Sequence, residues 1–251
     1  MNFKIFDKSL DNIDYNQKQV INTINPHSYC TTKRDKPFKD VLQNSDILLP
    51  DGIGIVWALK LLSGNKIKKI AGYDLFEHAM KHLNNTSGTC FFLGSTVETL
   101  SLIEARLQKD YPNVTVGSYS PPYKSEFNDI DTNKMISEVN KVSPDILFVG
   151  MTAPKQEKWS FANKEQLKAT TITSIGAVFD FYAGTVKRSN PFWIKLGLEW
   201  LPRFLKEPKR LAERNLVSTP KFIFEIISFK LSNILKGNFI KHTHTNNRNF
   251  T

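Results

Sequence analysis

Leu49-Pro50-Asp51-Gly52-Ile53-Gly54-Ile55-Val56 follows the short apolar run Ile47-Leu48-Leu49 and opens a segment, Ile53 to Leu62, whose apolar residues recur at helical spacing. A strand therefore enters a helix through a tight P-D-G connection that carries Asp51. In an open α/β sheet such a connection faces the crevice beyond the carboxyl ends of the strands, where ligands bind. Two readings of Asp51 follow: it caps the next helix, as Asp often does, or it is a general base in that crevice.

Working outward, strands alternate with helical segments. Gln19 to Ile24, Thr89 to Leu93, Val114 to Tyr119, Asp145 to Gly150 and Thr171 to Ile175 read as strands, with helices at Pro37 to Asn44, beyond Asp74, before Lys109 and from Thr132 to Val142. This order predicts an α/β, Rossmann-like fold: a mainly parallel sheet with helices on both faces. Residues 1 to 18 carry no readable pattern.

Several residues fall near the expected crevice. Thr23 and Asn25 alternate with Ile24 and share one face of an extended chain, although Asn25-Pro26 also spells an ordinary turn. Lys68 and Lys69 are placed to meet phosphate or to form a solvated face. Asp74 is positioned to cap its helix. Gly94-Ser95-Thr96, at the end of a strand, resembles an anion seat but lacks a full glycine-rich fingerprint. Pro154 suits a first helical turn, which places Gln156 and Glu157 near the ligand-facing end of that helix. His27 lies close to Thr23 and Asn25, whereas His78 and His82 share one helix face and read as solvated. Asp129-Ile130-Asp131 spells D-x-D, a pattern that elsewhere holds a divalent ion; before a helix, capping explains it better.

The net charge of +10 is unevenly distributed. From Lys187 onward there are 13 Lys or Arg against 4 acidic residues, and 21 against 20 before it. These basic residues alternate with Trp, Phe, Ile and Leu in helical segments, which suits an anionic lipid surface better than nucleic acid. Lys221 to Lys236 places Lys221, Glu225, Ser228, Ser232 and Lys236 on one stripe, with apolar residues around most of the remaining circumference. The division expected is a catalytic α/β domain over 1 to 186, a basic amphipathic helical appendage over 187 to 236 and a disordered tail over 237 to 251. Cys30 and Cys90 suggest neither a disulfide framework nor a zinc site. Neither a secretory signal nor a run of about 18 apolar residues is evident.

Taken together, T-I-N-P-H-S, L-P-D-G-I-G-I-V, I-A-G-Y-D-L-F, F-F-L-G-S, P-P-Y-K, V-G-M-T-A-P-K-Q-E-K-W, G-A-V-F-D-F-Y-A-G and L-G-L-E-W-L-P-R-F-L-K-E-P-K-R resemble the WecG/TagA/CpsF family of bacterial glycosyltransferases, in order over roughly residues 20 to 235. The resemblance implies transfer of a sugar from a UDP-sugar to an undecaprenyl-diphosphate-linked sugar, with inversion, without a metal and without another cofactor, in the synthesis of teichoic acid, capsule or exopolysaccharide. N-acetylmannosamine, its uronic acid, glucose and glucuronic acid are the donor sugars in view. The implied place is the cytoplasmic face of the bacterial inner membrane, as a peripheral protein with no nucleic-acid partner and an apolar surface that permits a homo-oligomer.

Carried over to this sequence, the resemblance makes Asp51 the base, with Thr23 and Asn25 beside it. It places Lys69 (where the family usually has arginine), Asp74, Gly94, Tyr123, Gln156, Glu157 and Asp180 on substrate. It also makes Arg203, Arg210 and Arg214 the cations of a lid. A non-catalytic sugar-nucleotide-binding or scaffolding subunit of a membrane polysaccharide complex is the competing class.

Overall fold

The computed structural model describes residues 3–187, 189, 190, 193, 200–206 and 208–246, with the backbone alone for residues 200, 203, 206, 210 and 234–246. Six strands form one sheet: β1 (Gln19–Ile24), β2 (Ile47–Pro50), β3 (Thr89–Gly94), β4 (Thr115–Tyr119), β5 (Ile146–Gly150) and β6 (Thr171–Ser174). Their order is β2-β1-β6-β5-β3-β4 and every neighbouring pair is parallel. β5 is buried throughout, as an apolar run covered on both faces requires.

The connecting helices are α1 (Pro26–Thr31), α2 (Lys36–Gln43), α3 (Ile53–Ser63), α4 (Gly72–Thr86), α5 (Val97–Asp110), α6 (Asp129–Val142), α7 (Lys155–Ala162) and α8 (Gly176–Ala183). On one face, α4, α5 and α8 bury Phe76, Ile103 and Phe179 against Ile21, Leu49 and Phe148 of the sheet. On the other face, α6 and α7 cover β5 and β6 with Met135, Val139 and Trp159. Over β1 and β2, α1, α2 and α3 form a third cluster.

Beyond residue 187, α9 (Trp200–Lys206) and α10 (Pro208–Ala212) lead through a π-helical turn, Glu213–Ser218, into α11 (Thr219–Asn246). α11 continues past residue 236, where the apolar pattern stops, and no proline interrupts it there. It is docked rather than detached: Phe222 and Ile226 are buried in the same cluster as Tyr29, Ile55 and Ala58.

One expectation is corrected. His78 and His82 are not simply solvated, because the segment before β1 turns back and packs Tyr15 against them. Tyr15 Oη lies 2.9 Å from His78 Nδ1, His78 Nε2 lies 3.2 Å from Asp11 Oδ1, and the Tyr15 and His82 rings are 5.0 Å apart. The N-cap of α3 is Gly52, at φ 96°. That left-handed turn, which favours glycine, swings the chain from β2 into the helix.

Candidate functional site

The carboxyl ends of β1 and β2 lie side by side, with Thr23 opposite Leu49 and Ile24 opposite Pro50. One residue further on, the Asp51 N–H donates to the Ile24 carbonyl at 2.9 Å, so pairing extends just past the strands and sets Asp51 beside the junction to Asn25. On the outer side, the Ile70 N–H donates to Pro50 O at 3.0 Å, bringing Lys69 to the same edge. Thr23 shares a face with Ile21, which packs under α4, α5 and α8. Asp51, Thr23 and Lys69 are all half-buried.

Asn25 combines both of its readings: it ends β1 and its side chain accepts from the Ser28 N–H at 2.9 Å, capping α1. Asp74 likewise caps, accepting from the Ala71 N–H at 2.9 Å. That bond places the start of α4 against β6 and α8; a side chain at Gly72 would begin 3.3 Å from Ile175.

Gly94 sits where β3 and β5 come closest. Its φ is +122°, and a β-carbon there would lie 2.2 Å from Gly150 O. The Ser95 N–H donates to that same oxygen at 3.0 Å. β3 continues to β4 on one side and β5 to β6 on the other, so this is a switch point of the topology. A groove of about 360 Å³ opens beside it, lined by Tyr123, Lys124, Ser125, Thr152, Pro154 and Lys155. Tyr123 is fully exposed on its rim. Lys155 crosses it to donate to Lys124 O at 2.6 Å and stands 4.4 Å from the centre of the Phe127 ring.

Gln156 is buried in the first turn of α7. Its Oε1 accepts from the Met151 N–H at 3.1 Å, its Nε2 donates to Glu157 Oε1 at 2.9 Å, and a β-carbon at Gly176 would lie 2.7 Å from it. Glu157 is buried, and burial pushes its carboxyl up to about 7. Asp180 is half-buried on α8, whose Val178, Phe179 and Tyr182 face the core.

The appendage reaches the same edge as Asp51. His27 Nδ1 lies 2.9 Å from Ser218 Oγ, Cys30 Sγ donates to Ser218 O at 3.3 Å, and Arg34 pairs with Glu213 at 2.9 Å. Arg214 comes close enough that, after burial itself, its charge is the main influence lowering the pKa of His27. Arg203 and Arg210 lie on α9 and α10, and their side chains are outside the described residues. The contact between α1 and the appendage has no local signal in sequence, since its partners are 191 positions apart.

Among the described residues no three His, Cys, Asp or Glu side chains converge as a metal site, and no helix is long and apolar enough to cross a membrane. In the D-x-D sequence, Asp131 takes part in a reciprocal cap with Asn128 and pairs with Lys124 at 2.7 Å.

The fold is a parallel doubly wound α/β sheet with Thr23, Asn25, Asp51 and Lys69 at or next to the carboxyl ends of β1 and β2. Residues 3–235 match the model of the Glycosyl transferase WecG/TagA/CpsF family, and the chain belongs to that family. It is 29% identical over 215 residues to an N-acetylglucosaminyldiphosphoundecaprenol N-acetyl-beta-D-mannosaminyltransferase of Bacillus subtilis (strain 168), covering 86% of this chain and 81% of that protein. A protein of the same name from Staphylococcus aureus (strain MW2) is 28% identical over 210 residues, covering 83% and 79%.

Proposed function

We propose that this protein is an inverting glycosyltransferase that moves a sugar from a UDP-sugar to an undecaprenyl-diphosphate-linked sugar during bacterial surface-polysaccharide synthesis, with Asp51 as its base. The observation that supports the reading most is the backbone bond from Asp51 to Ile24, which sets Asp51 beside the junction to Asn25 at the carboxyl ends of β1 and β2. The names of the relatives, which specify a lipid-diphosphate-linked acceptor, support it.

Inversion at the anomeric carbon needs a base to take the acceptor hydroxyl proton on the face opposite the leaving UDP; no covalent enzyme intermediate and no second carboxylate are demanded. Asp51 takes that proton, while Thr23 and Asn25 orient the reacting groups. Charge develops on the departing diphosphate and requires cations or backbone amides. Lys69 supplies one cation and Arg214, carried in by the appendage, another. Gln156, held between Met151 and Glu157, contacts the donor near the groove rimmed by Tyr123. Metal ions have no step in this scheme.

The acceptor's lipid tail requires the enzyme to work at a bilayer, and α11 is suited to rest on one at the cytoplasmic face. Among its described side chains Phe222 and Ile226 are buried, whereas Ile223, Phe224, Ile227 and Leu231 are exposed. Offering a panel of UDP-sugars with a lipid-diphosphate-linked acceptor, in EDTA, and weighing the products by mass spectrometry tests the proposal. One added hexosyl-type residue is the expected product. No product with any donor, or turnover only when a divalent ion is restored, contradicts the respective part.

A further inference from the structure

Residues 52 to 70 contain four lysines, Lys60, Lys66, Lys68 and Lys69, and no carboxylate. The helix within this stretch, α3, is apolar around nearly its whole circumference. Ile55 and Ala58 point into the core, but Ile53 and Trp57, four residues apart and so on one stripe, are 50 % and 37 % exposed.

The position of α11 extends this stripe. Phe222 touches α1 through the Tyr29 ring, 5.1 Å away, and approaches α3 at Gly54, where a β-carbon would lie 3.7 Å from it. α11 therefore lies in the groove between the two helices. Its Glu225 flank faces α1, where Lys33 meets it at 3.4 Å. At 100° per residue, Ile223 and Ile227 fall on the opposite flank of Phe222 and Ile226, the flank next to α3. They are 38 % and 40 % exposed. By this geometry Ile53 and Trp57 lie on the side of α3 toward Ile223 and Ile227; Lys60 follows Trp57 on the same helix, and the exposed Lys66 and Lys68 lie in the segment after it.

We infer that this face of α3 is a bilayer-contacting surface on the catalytic domain itself, and that its occupant is an anionic lipid membrane. The inference rests on the proposed membrane-bound acceptor and adds a second element to α11. Exposed aliphatic and indole side chains on a segment that also carries the exposed Lys66 and Lys68 match the acyl boundary and the headgroup layer respectively. A second copy of the chain fits less well, because a two-fold contact would gather two lysine clusters, with no carboxylate in this stretch to offset them, at one interface. Ile53 is two residues from Asp51, so a membrane seated here reaches the edge of the sheet that carries the base.

The test is flotation of the full chain with vesicles of phosphatidylglycerol or of phosphatidylcholine. Three proteins are compared: the unaltered chain, Ile53→Ser with Trp57→Ser, and Lys66→Glu with Lys68→Glu. The unaltered protein should float with phosphatidylglycerol and only weakly with phosphatidylcholine. Each double variant should lose roughly tenfold in partitioning while keeping its melting temperature within a few degrees. The charge variant alters no apolar packing, so its loss supports the inference even where the serine variant unfolds. If the unaltered chain floats and both variants float equally well, this inference fails while the membrane reading stands. If the unaltered chain does not float at all, both fail. A dimer in solution that the serine variant converts to monomer assigns the face to a second copy and overturns the inference.

Discussion

Glu157 holds the Gln156 side chain by one carboxylate oxygen, 2.9 Å from Nε2, and its other oxygen has no hydrogen-bond partner although it is buried. The pair leaves the Gln156 amide no freedom to flip, since its Oε1 is engaged by Met151 N–H at 3.1 Å. It also places an ionisable group where charge is disfavoured. With the folded carboxyl raised from 4.5 to about 7, the unfolded chain releases its proton first as pH rises. Stability should therefore fall between about pH 4.5 and pH 7, by roughly 3 kcal/mol at most from this group. Denaturant unfolding across that range checks it. Glu157→Gln, which keeps an oxygen for Gln156, should flatten the decline and be the more stable protein above pH 7. An unchanged slope in the variant would show that Glu157 is not its source.

Gly94→Ala should be far more damaging than a surface glycine change. Its β-carbon would meet Gly150 O at 2.2 Å on a backbone at φ +122°, a conformation disfavoured for any other residue. Strain and overpacking together should cost about 3 kcal/mol or more. Gly64, also left-handed at φ +78° but with open space around it, is the control: Gly64→Ala should cost about 1–2 kcal/mol. Thermal melts of the two variants measure the difference.

Ser218→Ala removes the hydroxyl that holds His27 at 2.9 Å, with an expected cost of about 1 kcal/mol at this contact. The effect should be local. Proteolysis within 200–246 should accelerate and transfer to a lipid-linked acceptor should fall several-fold. Because burial and Arg214 depress the His27 pKa, the unfolded state takes up this proton first as pH falls below its ordinary value of 6.5. The contact should therefore loosen on the acid side, and proteolysis of the unaltered chain within 200–246 should accelerate as pH falls below about 6.5.

Much of this was legible in the residues and some of it could not be. The apolar run of β5 and the P-D-G hinge after β2 announce themselves because burial on both faces and a left-handed glycine leave direct marks on composition. α8 is less visible: Gly176 through Gly184 reads only as a connection after β6, and its helical span emerges from the packing of Val178, Phe179 and Tyr182. Thr23, Asn25 and Asp51 can each be suspected singly, but their meeting depends on the β1–β2 register, which local pattern does not encode. The burial of Glu157 runs against its residue type, and nothing in K-Q-E-K-W foretells it. Tyr15 looks featureless until α4 supplies His78 from 63 positions away.

Lys69 reaches the site edge through the Ile70–Pro50 hydrogen bond. If it neutralises the leaving diphosphate, Lys69→Ala should lower kcat/KM for the UDP-sugar by roughly 10- to 100-fold. Lys69→Arg, with a planar fork suited to phosphate, should retain or exceed the native value. Steady-state kinetics with donor varied decides it, and equal losses in both variants would assign Lys69 a positional role only.

The most direct measurement concerns Asp51 itself. Asp51→Asn preserves size and the backbone bond to Ile24 while removing the capacity to take a proton. Single-turnover transfer to the lipid-linked acceptor should fall by at least about 100-fold, the contribution expected of a general base, with the dissociation constant for UDP unchanged within a few-fold. Transfer at the native rate by Asp51→Asn, with UDP still bound, would contradict the account.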